Sequence, residues 1–318
     1  MGKPERRHLI LILVLAGVAA ATAAEAQDGT ADPKKVAALL NVAFKYRREG
    51  MFDSAAAAYD YLIALPIKPE ERRQAAFEAY DVATVQSKND KAARLAHGVD
   101  LTKEALAMTR SGRGAQALKL VRDAKDALAE GFVLKLLGSD MEALEAFGRA
   151  GAPGAIERGE LLIKVGRGHE AVKAFEASGD SFRRARAMEI SRESAGTAWE
   201  AAKAEERTTL EGLLSRAKAL KAQHEAAPAG YEKERARFAL AEHYASLVDS
   251  YERFSVILEK TGDRPGAAKV ADLTMQFAQT QRSLMTDSGA DKFGVGLVKV
   301  RELDARDKRL EERRSALR

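Results

Sequence analysis

Between Asp32 and Pro66 the apolar positions fall at steps of three and four: Val36, Leu39, Leu40, Ala43 and Phe44 line one side of a helix. Arg47, Arg48 and Glu49 end that face, and Gly50 follows. A glycine there takes the left-handed conformation that closes a helix, and cations in the last turn suit its dipole. Asp53 or Ser54 starts the next helix, which carries Ala55, Tyr59 and Leu62 to a stop at Pro66. Small Ala55 permits close approach while Tyr59 and Leu62 fill the space beside it. The stretch therefore predicts an antiparallel helix pair.

The same six positions recur with unchanged spacing. Ala43, Tyr46, Gly50, Ala55, Tyr59 and Leu62 are matched by Ala105, Met108, Gly112, Ala117, Val121 and Ala124. They return as Gly131, Leu134, Gly138, Ala143, Phe147 and Ala150, then as Gly159, Leu162, Gly166, Ala171, Phe175 and Ser178. Tyr80, Ala83, Ser87, Ala92, Ala96 and Val99 form a degenerate copy, and Ser255, Leu258, Gly262, Ala267, Ala271 and Thr274 a weaker one. Repeated helix pairs stack on their neighbours and build a solenoid.

These residues resemble the tetratricopeptide repeat, whose signature is a small residue, an aromatic, a turn glycine, an alanine, an aromatic and a closing proline. Residues 39–66 match best, with Tyr46, Gly50, Ala55, Tyr59 and Pro66 all in place. Copies beginning at 43, 80, 105, 131 and 159 are shorter in the middle than the family's ~34 residues, so helices of three turns or fewer are expected there. The resemblance covers about residues 33–180. It implies an all-α fold, an α-α superhelix of antiparallel pairs, in which the first helix of each pair lines a concave groove.

Beyond Gly196 the pattern lengthens, and Pro228-Ala229-Gly230 marks a break. Leu240, Tyr244, Leu247, Tyr251, Phe254 and Leu258 step by four and three along one long helix, a coiled-coil-like seam. After Gly262 a second helix offers Val270, Leu273, Phe277 and Leu284. Two uses are open for the seam: an intramolecular hairpin that caps the array, or a homodimer through residues 231–260, with Tyr251 as a contact. Gly294-Val295-Gly296 reads as a turn, and from Lys299 onward the charged tail is expected to fray or stay disordered.

Composition agrees with helices: aromatic residues are 6% of the chain, and 7 prolines occur among 318 residues. Charged residues make up 31% with both signs mixed, and the net charge of +5 is a solvated surface rather than a nucleic-acid footprint. The first residues have the layout of a secretory signal: Lys3, Arg6 and Arg7, an apolar run from Leu9 to Ala21, and the triplet Ala24-Glu25-Ala26. The apolar run is short of the ~20 residues of a spanning helix, which argues against a retained anchor. The chain contains no cysteine, which removes lipid attachment, disulfides and thiolate metal sites.

Candidate chemistry is sparse. His97, His169, His224 and His243 show no metal-ligand spacing, and no phosphate loop or nucleophile elbow is present. Glu193-Ser194 resembles the catalytic Glu-Ser of soluble lytic transglycosylases, but the Gly-Leu-Met-Gln segment expected downstream is missing. A binding surface is the stronger expectation. Five residues after the start of three copies stands a cation, Arg48, Arg110 and Lys164, with Leu136 in the remaining one. The resemblance implies that such cations hold carboxylates of an extended peptide; the helix dipole gives a second reason for them.

The expected organisation is a signal peptide over 1–26, a helical array over 27–195, longer helical hairpins over 196–288 and a charged tail over 289–318. The expected function is non-catalytic, with no cofactor: an exported, periplasmic or secreted protein that binds another envelope protein or a peptide segment of one. The candidate contacts are Arg48, Arg110, Lys164 and Tyr251. Alternatives are a peptidoglycan-acting accessory of the transglycosylase kind and a self-assembling structural protein.

Overall fold

The computed structural model describes residues 31–229, 231–286 and 294–317. The expected signal peptide and residues 289–293 of the expected tail lie outside the described residues. Among the described residues there are fifteen α-helices, one short 3-10 turn and no strand. The chain forms two compact units that divide between Leu120 and Val121.

The first unit holds α1 (Pro33–Arg48), α2 (Phe52–Ala64), α3 (Pro69–Val85), α4 (Asn89–Ala96), α5 (Leu101–Arg110) and the start of α6 (Gly114–Asp123). From α1 to α5 each helix packs on the next. Val36, Leu39, Ala43, Ala55, Tyr59 and Leu62 are buried together with Ala75, Ala79 and Val82, so the first predicted pair also packs against α3.

The second unit holds α7 (Ala127–Leu136), α8 (Asp140–Ala150), α9 (Ala155–Lys164), α10 (Gly168–Ser178) and α11 (Ser181–Ile190). It continues with α12 (Gly196–Ala226), α13 (Tyr231–Lys260), α14 (Arg264–Thr286) and α15 (Gly294–Leu317). From α7 to α14 each helix again packs on its successor.

One turn geometry closes the first helix of each of the six pairs from α1–α2 to α11–α12, and recurs at Gly262 after α13. The turn residue has a positive φ: +72° at Gly50, +56° at Ser87, +84° at Gly112, +80° at Gly138, +79° at Gly166 and +59° at Arg192. The next residue's N–H then reaches back to a carbonyl five residues earlier, as from Met51 to Tyr46 (2.9 Å) and from Glu193 to Met188 (2.7 Å). Glycine adopts this conformation without a Cβ penalty, which is why four of the six turns are legible as glycine. The sixth, at Arg192, carries no such signal and adds the pair α11–α12 to the array.

Four first helices are started by an aspartate whose carboxylate accepts a backbone N–H: Asp32 from Lys34, Asp100 from Lys103, Asp126 from Ala129 and Asp180 from Arg183. The expected cap at Asp53 or Ser54 is not formed; α2 begins at Phe52, and Asp53 sits in its first turn.

The small residue that opens each copy has a steric cause. A Cβ on Gly131 would lie 2.5 Å from the Phe147 ring, and one on Gly159 2.5 Å from the Phe175 ring. Both rings are fully buried, so the second helix lays its aromatic against bare backbone of the first.

The expected disordered tail is instead α15, and Gly294-Val295-Gly296 is its first turn rather than a loop. Its buried leucines are seven residues apart. Leu303 meets Ala241 and Met285, Leu310 meets Val248 and Ala278, and Leu317 meets Leu258, Val270 and Ala271. Charge surrounds this seam: Arg282 bonds Asp304 and Asp307 at 2.7 Å each, Arg306 bonds Gln281 at 2.6 Å, and Arg314 bonds Asp272 at 2.5 Å. A charged sequence orders here because two packed helices supply both an apolar groove and the counter-charges.

Candidate functional site

In each unit the turns that close the first helices carry the positions at which the sequence placed its candidate cations. In chain order the last residues of these helices are Arg48, Val85, Arg110, Leu136, Lys164 and Ile190. Cation and apolar residue alternate at one structural position.

Arg48 ends α1, and its side chain lies outside the described residues. Arg110 ends α5 exposed. Its carbonyl accepts the Asn89 side-chain N–H at 3.3 Å, and its guanidinium has no ion pair or hydrogen bond among the described residues. Lys164 is exposed but paired, with its ammonium 2.5 Å from Asp140. Lys135, one residue before Leu136, is likewise held by Glu157 at 2.5 Å.

The Lys164 pair belongs to a recurring device. Within the first unit Asp53, at the start of α2, accepts from Gln86 and Lys88 at 3.0 Å each, and Asp90, at the start of α4, pairs with Arg113 at 2.8 Å. Within the second unit Asp140 takes Lys164, and His169, at the start of α10, meets Glu193 at 2.6 Å. Each clasp ties the start of a second helix to the end or turn of the next pair's first helix. Negative charge in the first turn of a helix also suits its dipole. The clasps hold successive turns side by side and neutralise most of the charges they use.

Glu193, the carboxylate of the transglycosylase-like dipeptide, is thus a clasp residue beside an exposed imidazole. Besides the exposed Arg192, what the clasps leave open at these turns of the second unit is apolar: Leu136, Leu137, Met141, Val165 and Ile190 are 37–57% exposed, and all stand at the turns after α7, α9 and α11. Sequence reasoning noted Leu136 only as an exception to the cations and passed over the rest.

Tyr251 lies elsewhere. Its ring stacks on Phe277 with centroids 5.1 Å apart, and burial pushes its hydroxyl pKa up. Leu240, Leu247 and Leu258 of the same seam are buried. The seam of α13 packs against α12 and α14 of its own chain, as an intramolecular hairpin requires. The α12–α13 contact also holds a buried carboxylate, Glu206, bonded by Arg253 through two N–H groups at 2.9 and 3.0 Å and by the Ser250 hydroxyl.

A second buried carboxylate, Glu130 on α7, sits between Arg122 (2.7 Å) and Arg149 (2.5 Å). Burial opposes its ionisation, but the hydrogen bonds and charges of the two guanidiniums outweigh that and hold its pKa below the usual carboxylate value. Both clusters join helices inside the fold. Among the described residues no helix is long and apolar enough to cross a membrane, and no three acidic or histidine side chains gather as metal ligands.

No family model matches this chain, and no curated protein does. Among solved structures it is similar to one of Naa15/Naa10 bound to HypK-THB, at 15% identity and a TM-score of 0.31, over 79% of this chain and 54% of that one. The chain thus spans about half the length of that relative. It is also similar to a tetratricopeptide repeat protein from Parabacteroides merdae ATCC 43184, at 14% identity and TM-score 0.28, over 85% of this chain and 97% of the other. A third likeness is to the P58(IPK) TPR domain, at 13% identity and TM-score 0.20, covering 87% and 79%.

Proposed function

We propose that this chain is a non-catalytic helical scaffold that binds another protein along the turns of its helix pairs. The observation that carries this reading is the set of clasped turns within each unit. The fold fixes the same few positions repeatedly, and it leaves the side chains there exposed while buried polar groups such as Glu130 and Glu206 are engaged by their own neighbours. Regular presentation of variable side chains on a fixed frame is how helical arrays recognise partners.

The N-terminal segment, with its basic start, apolar run and Ala24-Glu25-Ala26, supports export, and a bacterial envelope protein is the partner class that fits it. Fractionation of cells producing the full chain, with N-terminal sequencing of the product, tests export: a mature protein beginning near Gln27 is expected. An uncleaved cytosolic product removes the envelope reading. In living cells a photoreactive residue in place of Arg110 is expected to capture one protein. Charge reversal, Arg110→Glu, is expected to weaken binding of the captured protein to the purified full chain at least tenfold; unchanged binding means the cation takes no part.

A further inference from the structure

We infer that the turn edge of the second unit, from Leu136 and Leu137 through Val165 to Ile190, is a docking surface for a short apolar segment of a partner protein. The inference rests on the scaffold reading and gives the chemistry of what the scaffold holds.

The placement follows from the clasps. Lys164 reaches Asp140, which sets the end of α9 beside the turn that carries Leu137 and Met141. Glu193 reaches His169, and Ser191 lies against Gly168, which sets the end of α11 beside the turn after Val165. Leu137 and Val165 each directly precede the turn glycine of their pair, and Ile190 lies two residues before the turn residue Arg192. The five apolar side chains therefore run along one edge across three consecutive helix pairs. Of the eight large hydrophobic residues exposed among the described residues, five are here.

Charge and size select the occupant. The cations within the run, Lys135, Lys164 and Arg167, are held by Glu157, Asp140 and Glu170, so an acidic peptide would have to break those pairs to gain its own. Arg192 is the exposed cation at one end, with no ion pair among the described residues, and tolerates a single carboxylate there. The exposed apolar area is roughly 400 Å², a patch of the size that on monomers is often functional. That is about half of the ~800 Å² each partner commits to a stable protein pair, which favours a short segment over a second copy of this chain. Neighbouring first helices lie ~10 Å apart when packed, so the edge is roughly 20 Å long. A chain in the polyproline II conformation, three residues per turn at ~3.1 Å each, covers that in about six residues and turns one apolar side chain to each helix pair at every third residue.

The test uses the full chain and a fluorescein-labelled decapeptide with leucine at every third position on a glycine–serine background, followed by anisotropy. Saturable binding is expected, with at least a tenfold loss in the double variant Leu137→Ser/Ile190→Ser and none in Leu273→Ser, which changes an exposed leucine on α14. The same peptide with aspartate in place of leucine is expected not to bind. Thermal melts of the variants show that a loss is not unfolding. The inference is overturned if the leucine peptide does not bind, if the aspartate peptide binds as well, or if Leu273→Ser is equally damaging. Self-association that Leu137→Ser/Ile190→Ser abolishes would replace the partner by a second copy. If Arg110 captures a protein in cells while the leucine peptide fails, the scaffold reading stands without this edge; failure of both removes the two together.

Discussion

Gly131 and Gly159 show what a single hydrogen in place of a methyl group does in this fold. Replacing Gly159 by alanine gains about 1 kcal/mol of helix propensity, but it drives a Cβ into the fully buried Phe175 ring. Overpacking of that kind costs about 1–3 kcal/mol. Gly159→Ala is therefore expected to lose about 1 kcal/mol net, measured by urea denaturation, and Gly212→Ala, with nothing near its Cβ, to gain instead. The opposite experiment applies at Arg192, a non-glycine residue held at φ +59°. Left-handed backbone costs an ordinary residue ~1–2 kcal/mol, part of which the lower backbone entropy of glycine's rivals repays. Arg192→Gly is expected to stabilise by about 0.5 kcal/mol in the same assay. The two residue types also explain what could be read beforehand. Gly50, Gly112, Gly138 and Gly166 announce their turns because glycine is the residue that geometry favours, whereas Arg192 makes the same turn with a side chain that says nothing about it.

At the scale of helices, the strongest local joint is the carboxylate of Glu130 between two guanidiniums from α6 and α8. Its pKa is lowered in the fold, so it adds stability that is fully present above the unfolded value near 4.5 and is lost as pH falls through the folded one. The gap in stability between the native chain and Glu130→Gln is expected to be widest at neutral pH and to close as pH falls below 4.5 through the lowered folded value, read from denaturation at a series of pH values. A second joint is α15. Leu310→Ala, at a residue 3% exposed, is expected to cost about 2–4 kcal/mol of docking. Hydrogen exchange over residues 302–317 should speed up accordingly, while α7–α10 keep their protection. The helix pairs were legible because each buries three or four apolar residues per two turns. This last helix was not, because one leucine in seven is too sparse to stand out among arginines and glutamates, and its partners lie dozens of residues away in sequence.

For the molecule as a whole, each unit is built by the same rule, in which, from α1 to α5 and from α7 to α14, each helix packs on the one before it. That rule is written in local spacing, so the all-α class and the paired organisation could be derived from sequence. The docking edge could not. The cations Arg110 and Lys164 are visible as residue types, but only the fold shows that Asp140 already holds Lys164 and that Arg110 has no such partner among the described residues. Tyr251 was likewise visible as part of a seam, while its burial against Phe277 depends on which helix comes back to meet it. The leucines of α15 carry a last consequence. Marks at 303, 310 and 317 are the graduations of a ruler, and graduations look alike. Sliding α15 by one interval, ~10 Å, would set Leu303 in the place of Leu310 at the loss of one layer. Arg282 with Asp304 and Asp307, and Arg306 with Gln281, act as the zero mark. With Arg282→Gln and Arg306→Gln together, spin labels on α13 and α15 should report two distances differing by one graduation, not one broadened peak.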